Sequence, residues 1–340
     1  MVYFTKPALS IINFKKMYLR RLIGVFVMAV ITLILVGKFF DYRYKKRWDW
    51  LFFDKINKTV SGPQNYDILF LGNSRIHTGV NPYYVDSVTK MNSYNLAIGS
   101  GDEQEMKLLG TAYLQNHIPP KFIVIGIDNS LLSKYNILRE RFAYLFYLDN
   151  DTICSFMKKN GFPCELIRFA PFLKYAVFDE YNRTSLFLGN GEIKKIFKHN
   201  FYKGFVNIFG DLSTDSTNVH KNIRQKLFNT LPAKENINDT SMSVIRQTVE
   251  MFLSKGCQVI FLYPPELQKD NSLFANAANS FYTTLAREYR IREIRTDKNP
   301  TFIKKYFVEG SHVNEPGSEI LSLIVADSLN SFSKQKLRNY

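Results

Sequence analysis

Asp67-Ile68-Leu69-Phe70-Leu71-Gly72-Asn73-Ser74-Arg75 is the stretch from which the rest of the chain can be read. Ile68 to Leu71 make an uninterrupted apolar run, which suits a central strand covered on both faces. Gly72 permits a tight turn. Asn73 and Ser74 then stand where such a strand gives way to a helix, beside backbone N–H groups that a helix start leaves unpaired. A serine at that point has two readings. It caps the helix, or it is an attacking hydroxyl whose developing charge is met by those donors.

The same punctuation recurs downstream. Ser93 to Ile98 reads as a second strand ending in Gly99-Ser100-Gly101. Asp102 and Glu103 open a helix with Met106, Leu109, Tyr113 and Leu114 on one stripe, stopped by Pro119-Pro120. Phe122 to Ile127 and Val259 to Tyr263 are further apolar runs. Between them, Met242, Ile245, Val249 and Phe252 stripe a helix that Gly256 closes. A helix near 272–290, a strand at 291–295 and a last helix after Pro316 complete the series. Strands alternating with helices imply an α/β fold with a doubly wound parallel sheet. Residues from about 131 to 238, rich in Phe, Tyr and Lys, break the pattern and read as an insertion, a lid or substrate-facing subdomain.

The formal charge of +15 raises the question of nucleic acid. Its distribution answers against it: the first 47 residues hold ten Lys and Arg against Asp41 alone, or +9, leaving +6 for the other 293. The excess flanks a charge-free segment from Leu22 to Gly37, so the partner it predicts is a lipid bilayer, spanned by residues 22–40. No small-residue cleavage site follows, which favours an uncleaved single-pass anchor. The organisation expected is a basic tail (1–21), an anchor (22–40), a connector (41–64) carrying Trp48 and Trp50, and a domain over 65–335. Of the three cysteines, Cys154 and Cys164 are near enough in sequence for a local bridge, although free thiols are the favoured reading, and Cys257 reads as a small buried residue. No spacing resembles a metal site.

Phe307-Val308-Glu309-Gly310-Ser311-His312-Val313-Asn314 supplies a base. Glu309 and His312 are three apart in a turn, close enough for the carboxylate to hold the imidazole in one tautomer, and His312 can then take the Ser74 proton. A surface histidine in a loop is the plainer reading. His77, one turn past Ser74, is a rival base with no carboxylate near it in sequence.

Together these residues resemble the SGNH hydrolases, also called GDSL-type esterases, over most of the chain from Asp67 to about Leu329. Gly72-Asn73-Ser74 matches the family's nucleophile turn, and Glu309-Gly310-Ser311-His312 its Asp-x-x-His turn, with glutamate in place of aspartate. The resemblance implies a flavodoxin-like sheet, a Ser74-His312-Glu309 triad, and an oxyanion hole from Gly99 and Asn129, although Asp128-Asn129 reverses the family's Asn-Asp order. It implies no cofactor. The string Gly72-Asn73-Ser74-Arg75 with Gly79-Val80-Asn81-Pro82 and Tyr94-Asn95-Leu96-Ala97 is similar to a membrane-anchored branch near proteins of alginate acetylation and teichoic-acid D-alanylation. That branch implies a cell-envelope glycan substrate, a membrane acyltransferase partner, and a catalytic domain outside the cytoplasmic membrane. Arg75 and Asn95 are expected to face substrate. Two other classes stand beside the esterase or O-acyltransferase: an inactive scaffold that binds glycan or a partner enzyme, and a nucleotide-binding enzyme. Gln104 stands where the third glycine of a dinucleotide fingerprint belongs, which counts against the second.

Overall fold

The computed structural model describes residues 7–47, 52–62, 65–99, 101–132, 141–177, 201–210, 212–213, 237–267 and 272–338. Five parallel strands form the central sheet: β1 (Ile68–Leu71), β2 (Ser93–Asn95), β3 (Phe122–Gly126), β6 (Gln258–Tyr263) and β7 (Arg292–Arg295), in the order β2-β1-β3-β6-β7. This is the doubly wound flavodoxin-like order, in which the crossover direction reverses beside β1 and loops from neighbouring strands part at their C-terminal ends.

Both faces of the sheet are apolar because the runs are. Leu69, Leu71, Ile123, Ile125, Val259 and Phe261 point to one side, into a core shared with α2 (Phe52–Val60), α5 (Glu103–Asn116), α10 (Asp239–Ser254) and α11 (Leu273–Tyr289). Ile68, Phe70, Phe122, Val124, Ile260 and Leu262 point to the other, against α4 (Pro82–Thr89) and α12 (Glu315–Arg338). Each such side chain removed from water is worth about 1.5–3 kcal/mol. The two-residue period with apolar residues on both faces is what a strand buried between helix layers requires.

The turn after β1 closes on α3 (Ser74–His77), a single turn of helix. Gly72 has φ +145°, and Ile76 fills the space beneath it. Gly126, at the end of β3, meets the same side chain. A Cβ there would lie 2.0 Å from Ile76 Cγ1.

Within the insertion, α6 (Arg141–Tyr144), α7 (Asp151–Lys159), α8 (Cys164–Phe169) and α9 (Leu173–Val177) extend the α5 face of the core. A hairpin of β4 (Phe201–Tyr202) and β5 (Phe205–Val206) lies along β2, where Asn95 N donates to Lys203 O at 2.9 Å. The rest of the insertion falls outside the described residues. All three cysteines are buried and free, and the Cys164 thiol donates to the Cys154 carbonyl at 3.3 Å.

Residues 7–21 of the tail, the apolar segment and the start of the connector form one helix, α1 (Pro7–Arg47), whose Lys16–Tyr42 portion is long and apolar enough to cross a membrane. Its C-terminal part is fixed to the domain. Asp41 accepts from Lys174 Nζ at 2.6 Å and Tyr175 OH at 2.7 Å, and the Phe40 and Tyr175 rings meet edge to face.

Gly126→Ala should destabilise the domain by about 1–3 kcal/mol or more, since packing around Ile76 must shift. Ile76→Val in the same chain should recover part of that loss, read as a non-additive double-mutant cycle in denaturant unfolding.

Candidate active site

Ser74 is placed by its neighbours before any chemistry is considered. Asn73 caps α3, its Oδ1 accepting from Arg75 N at 3.1 Å, while its Nδ2 donates to Ser130 Oγ at 3.2 Å in the loop after β3. With the cap position taken by Asn73, the Ser74 hydroxyl is left for another partner. That partner is His312: Nε2 lies 2.8 Å from Ser74 Oγ, joining residues 238 apart in sequence.

His312 sits on a short antiparallel hairpin of β8 (Phe307–Glu309) and β9 (His312–Val313), joined by Gly310-Ser311. The register pairs Glu309 directly with His312, so the two side chains rise from adjacent points of the ribbon. Glu309 Oε1 lies 2.5 Å from His312 Nδ1, and Ser311 Oγ lies 3.2 Å from the same nitrogen. A carboxylate at Nδ1 keeps the proton there and leaves Nε2 to accept from the serine hydroxyl. Glutamate suits this ribbon because its length spans the gap between paired backbones. Phe307 and Val313 bury the base of the hairpin, and Asn314 Nδ2 donates to Gly210 O and Lys305 O, holding its exit.

Arg75 does not face substrate, contrary to the expectation from sequence. Its side chain is 7 % exposed and its guanidinium joins Glu266 Oε1 at 2.6 Å, Asp128 Oδ2 at 3.4 Å, and the carbonyls of Pro264 and Pro265. One cation thus binds the loops after β1, β3 and β6 together. Burial alone would push the Asp128 carboxyl up, but Arg75 and hydrogen bonds from Asn73 and Ser130 outweigh it and hold the group at about 2.

Asn95 is likewise a brace and not a substrate contact. It is fully buried, its Nδ2 donating to Ile76 O at 2.8 Å and Val80 O at 2.7 Å, and its Oδ1 accepting from Ala97 N. The resemblance had it facing substrate. The open carbonyls at the end of α3 draw it inward instead.

Beneath it lies a residue that sequence reading passed over. Lys55, on α2, is 1 % exposed, and its ammonium donates to Ala97 O and, at 2.8 Å, to Asn95 O. Burial lowers its proton affinity far below that of an exposed lysine, with Asp54 opposing the shift. Its position between Phe52, Ile56 and Thr59, on the apolar stripe of an amphipathic helix, was the available signal. Glu266, directly after Pro264-Pro265, was equally visible and equally unused.

His77, the rival base, has its ring against Gly99, where a Cβ would lie 3.3 Å from Nδ1. Burial and then the Lys55 charge depress its protonation well below the usual imidazole range. The hydrogen bond to Ser74 Oγ belongs to His312. Gly99 and Asn129 follow β2 and β3 at the same edge of the sheet as Ser74. Gly99 lies in a half-buried turn that Ile98 N ties to Gly72 O at 3.0 Å, and half-buried Asn129 opens a 3-10 turn. Among the described residues no group of three His, Cys, Asp or Glu side chains is placed to hold a metal ion.

No protein-family model matches the chain, and no curated protein matches it. Solved structures similar to it include a protein from Desulfitobacterium hafniense described as a lipolytic protein of the G-D-S-L family, with 9 % identity and a TM-score of 0.38, covering 77 % of this chain and 99 % of that one. A catalytic mutant of an acetylxylan esterase from Geobacillus stearothermophilus has 9 % identity and a TM-score of 0.39, covering 79 % and 95 %. An acylhydrolase structure from Bacteroides fragilis has 12 % identity and a TM-score of 0.38, covering 81 % and 93 %.

Because Asp128 titrates lower in the fold than in the unfolded chain, the stability it lends is present above about pH 4 and is lost as pH falls toward about 2. Asp128→Asn should therefore cost about 2 kcal/mol at neutral pH, and the gap from the unmodified chain should close across that acid window in denaturant titrations.

Proposed function

We propose that this chain is a membrane-held serine esterase or O-acyltransferase acting on acyl groups of cell-envelope polysaccharide. The single observation that carries the reading is the continuous relay Ser74 Oγ to His312 Nε2 at 2.8 Å and His312 Nδ1 to Glu309 Oε1 at 2.5 Å, within the reach that proton transfer to a base requires.

In the reaction proposed, Ser74 Oγ attacks the ester carbonyl carbon as its proton passes to His312 Nε2, and Glu309 stabilises the imidazolium that results. The carbonyl oxygen, now negative, is met by the N–H groups of Ser74 and Gly99, with the Asn129 amide as third donor. Each such donor is worth about 100- to 1000-fold in rate. The tetrahedral adduct collapses, and the leaving alcohol takes its proton from His312. The acyl group is then an ester of Ser74. Water resolves it in hydrolysis and a sugar hydroxyl in transfer, with His312 again as base, so the two outcomes differ only in the acceptor.

The polysaccharide part of the proposal is supported by the Phe- and Tyr-rich insertion between β3 and β6, and the membrane part by the apolar length of α1. In this reading residues 22–40 span the bilayer and the domain lies on its outer side.

Full-length protein in detergent, assayed with 4-nitrophenyl acetate and with an O-acetylated glycan, tests the reading. Ser74→Ala and His312→Ala should each lower turnover by about 10⁴-fold or more, and Glu309→Gln by less. A rate unchanged in Ser74→Ala would leave a non-catalytic scaffold as the surviving account.

A further inference from the structure

The catalytic domain touches α1 at a depth that a soluble domain has no reason to reach. Gly37 is the last residue of the charge-free run from Leu22, and it is buried by the backbone of Phe172, so closely that a Cβ at Gly37 would lie 3.0 Å from Phe172 N. Asp41, held by Lys174 and Tyr175, is only four residues further on, a rise of about 6 Å. The segment entering α9 therefore meets the helix within its apolar portion and not beyond it.

Just before that contact, α8 turns large apolar side chains outward. Phe169 is 75 % exposed and Leu166 54 %, and a spacing of three places them on one face of the helix. Their neighbours Ile167 and Cys164 are buried in the core, so the outward orientation of these two is fixed by the packing of the others. An exposed phenylalanine three residues from a contact with the apolar run has a ready solvent in the bilayer.

We propose that α8 is a second membrane contact, with Leu166 and Phe169 inserted among the upper acyl chains beside α1. The occupant is lipid, because Phe169 stands three residues from Phe172, which packs on the helix that would cross the bilayer. Short helices with one apolar face seat themselves at that boundary, about 5–10 Å into the headgroup and acyl region. This rests on the reading of residues 22–40 as a span, and not on the esterase chemistry. Two points of attachment, α1 and α8, then hold the domain in one pose over the membrane.

The test uses the full chain with Trp48→Phe and Trp50→Phe, reconstituted in vesicles of phosphatidylcholine and phosphatidylglycerol, with and without lipids brominated on the upper acyl chain. A single tryptophan is introduced by Phe169→Trp, by Leu166→Trp, or by Phe39→Trp on α1. The expected result is blue-shifted emission quenched by the brominated lipid at all three positions. Adding Gly37→Leu, which drives Phe172 off the helix, should lower the quenching at 169 and leave it unchanged at 39. Quenching at 39 with none at 166 and 169 would overturn the α8 contact while the span stood. Absence of quenching at all three would overturn both. Blue-shifted but unquenched emission at 169 that grows with protein density would assign the patch to a second copy of the chain and overturn the lipid contact.

Discussion

The guanidinium of Arg75 is the interaction on which the site's geometry depends. Parallel strands deliver their C-terminal loops to one edge of the sheet, but nothing in the ladder holds those loops at fixed separations. Arg75 does so by joining Glu266, Asp128 and the carbonyls of Pro264 and Pro265, from loops separated by well over a hundred residues of chain. A buried cation is costly unless it is paired, and both terminal nitrogens of Arg75 are. The arrangement therefore tolerates few alternatives, and the adjacent Ser74 inherits that constraint. Asn73 adds its cap and its bond to Ser130, and Asn95 holds the far end of the same helical turn.

Much of this was legible in the chain. The apolar runs at 68–71, 122–126 and 259–263 carry their own signature, because a strand buried on both faces has no polar positions to spare. The pairing of Ser74 with His312 was readable from where each falls, one after the first strand and one before the last helix. The glutamate at 309 looked like a departure until the hairpin register set it opposite the imidazole. What could not be read was the direction in which polar side chains point. Arg75 and Asn95 were expected to face substrate, and both turn inward to backbone carbonyls and carboxylates whose positions only the tertiary fold determines. Lys55 was overlooked for the complementary reason, since a lysine is so often solvated that its place on an apolar stripe drew no notice.

The connector between α1 and β1 is thereby more than a tether. Through Lys55 it bonds to the Asn95 and Ala97 carbonyls at and just past the end of β2, and the loop that follows β2 carries the bond from Ile98 N to Gly72 O. Phe53 and Ile56 add apolar contacts to the same core. Helix α2 is part of the domain's interior, and a domain cut after it would leave the Asn95 and Ala97 carbonyls without the Lys55 ammonium.

The order in which the parts of the relay occur along the chain has a temporal side. Ser74 leaves the ribosome early, whereas His312 follows 238 residues later. At translation rates of about 5–20 residues per second, the nascent chain spends on the order of ten seconds or more with Ser74 apart from the imidazole it meets in the fold. The hydrogen bond between Ser74 and His312 forms only when the last hairpin closes.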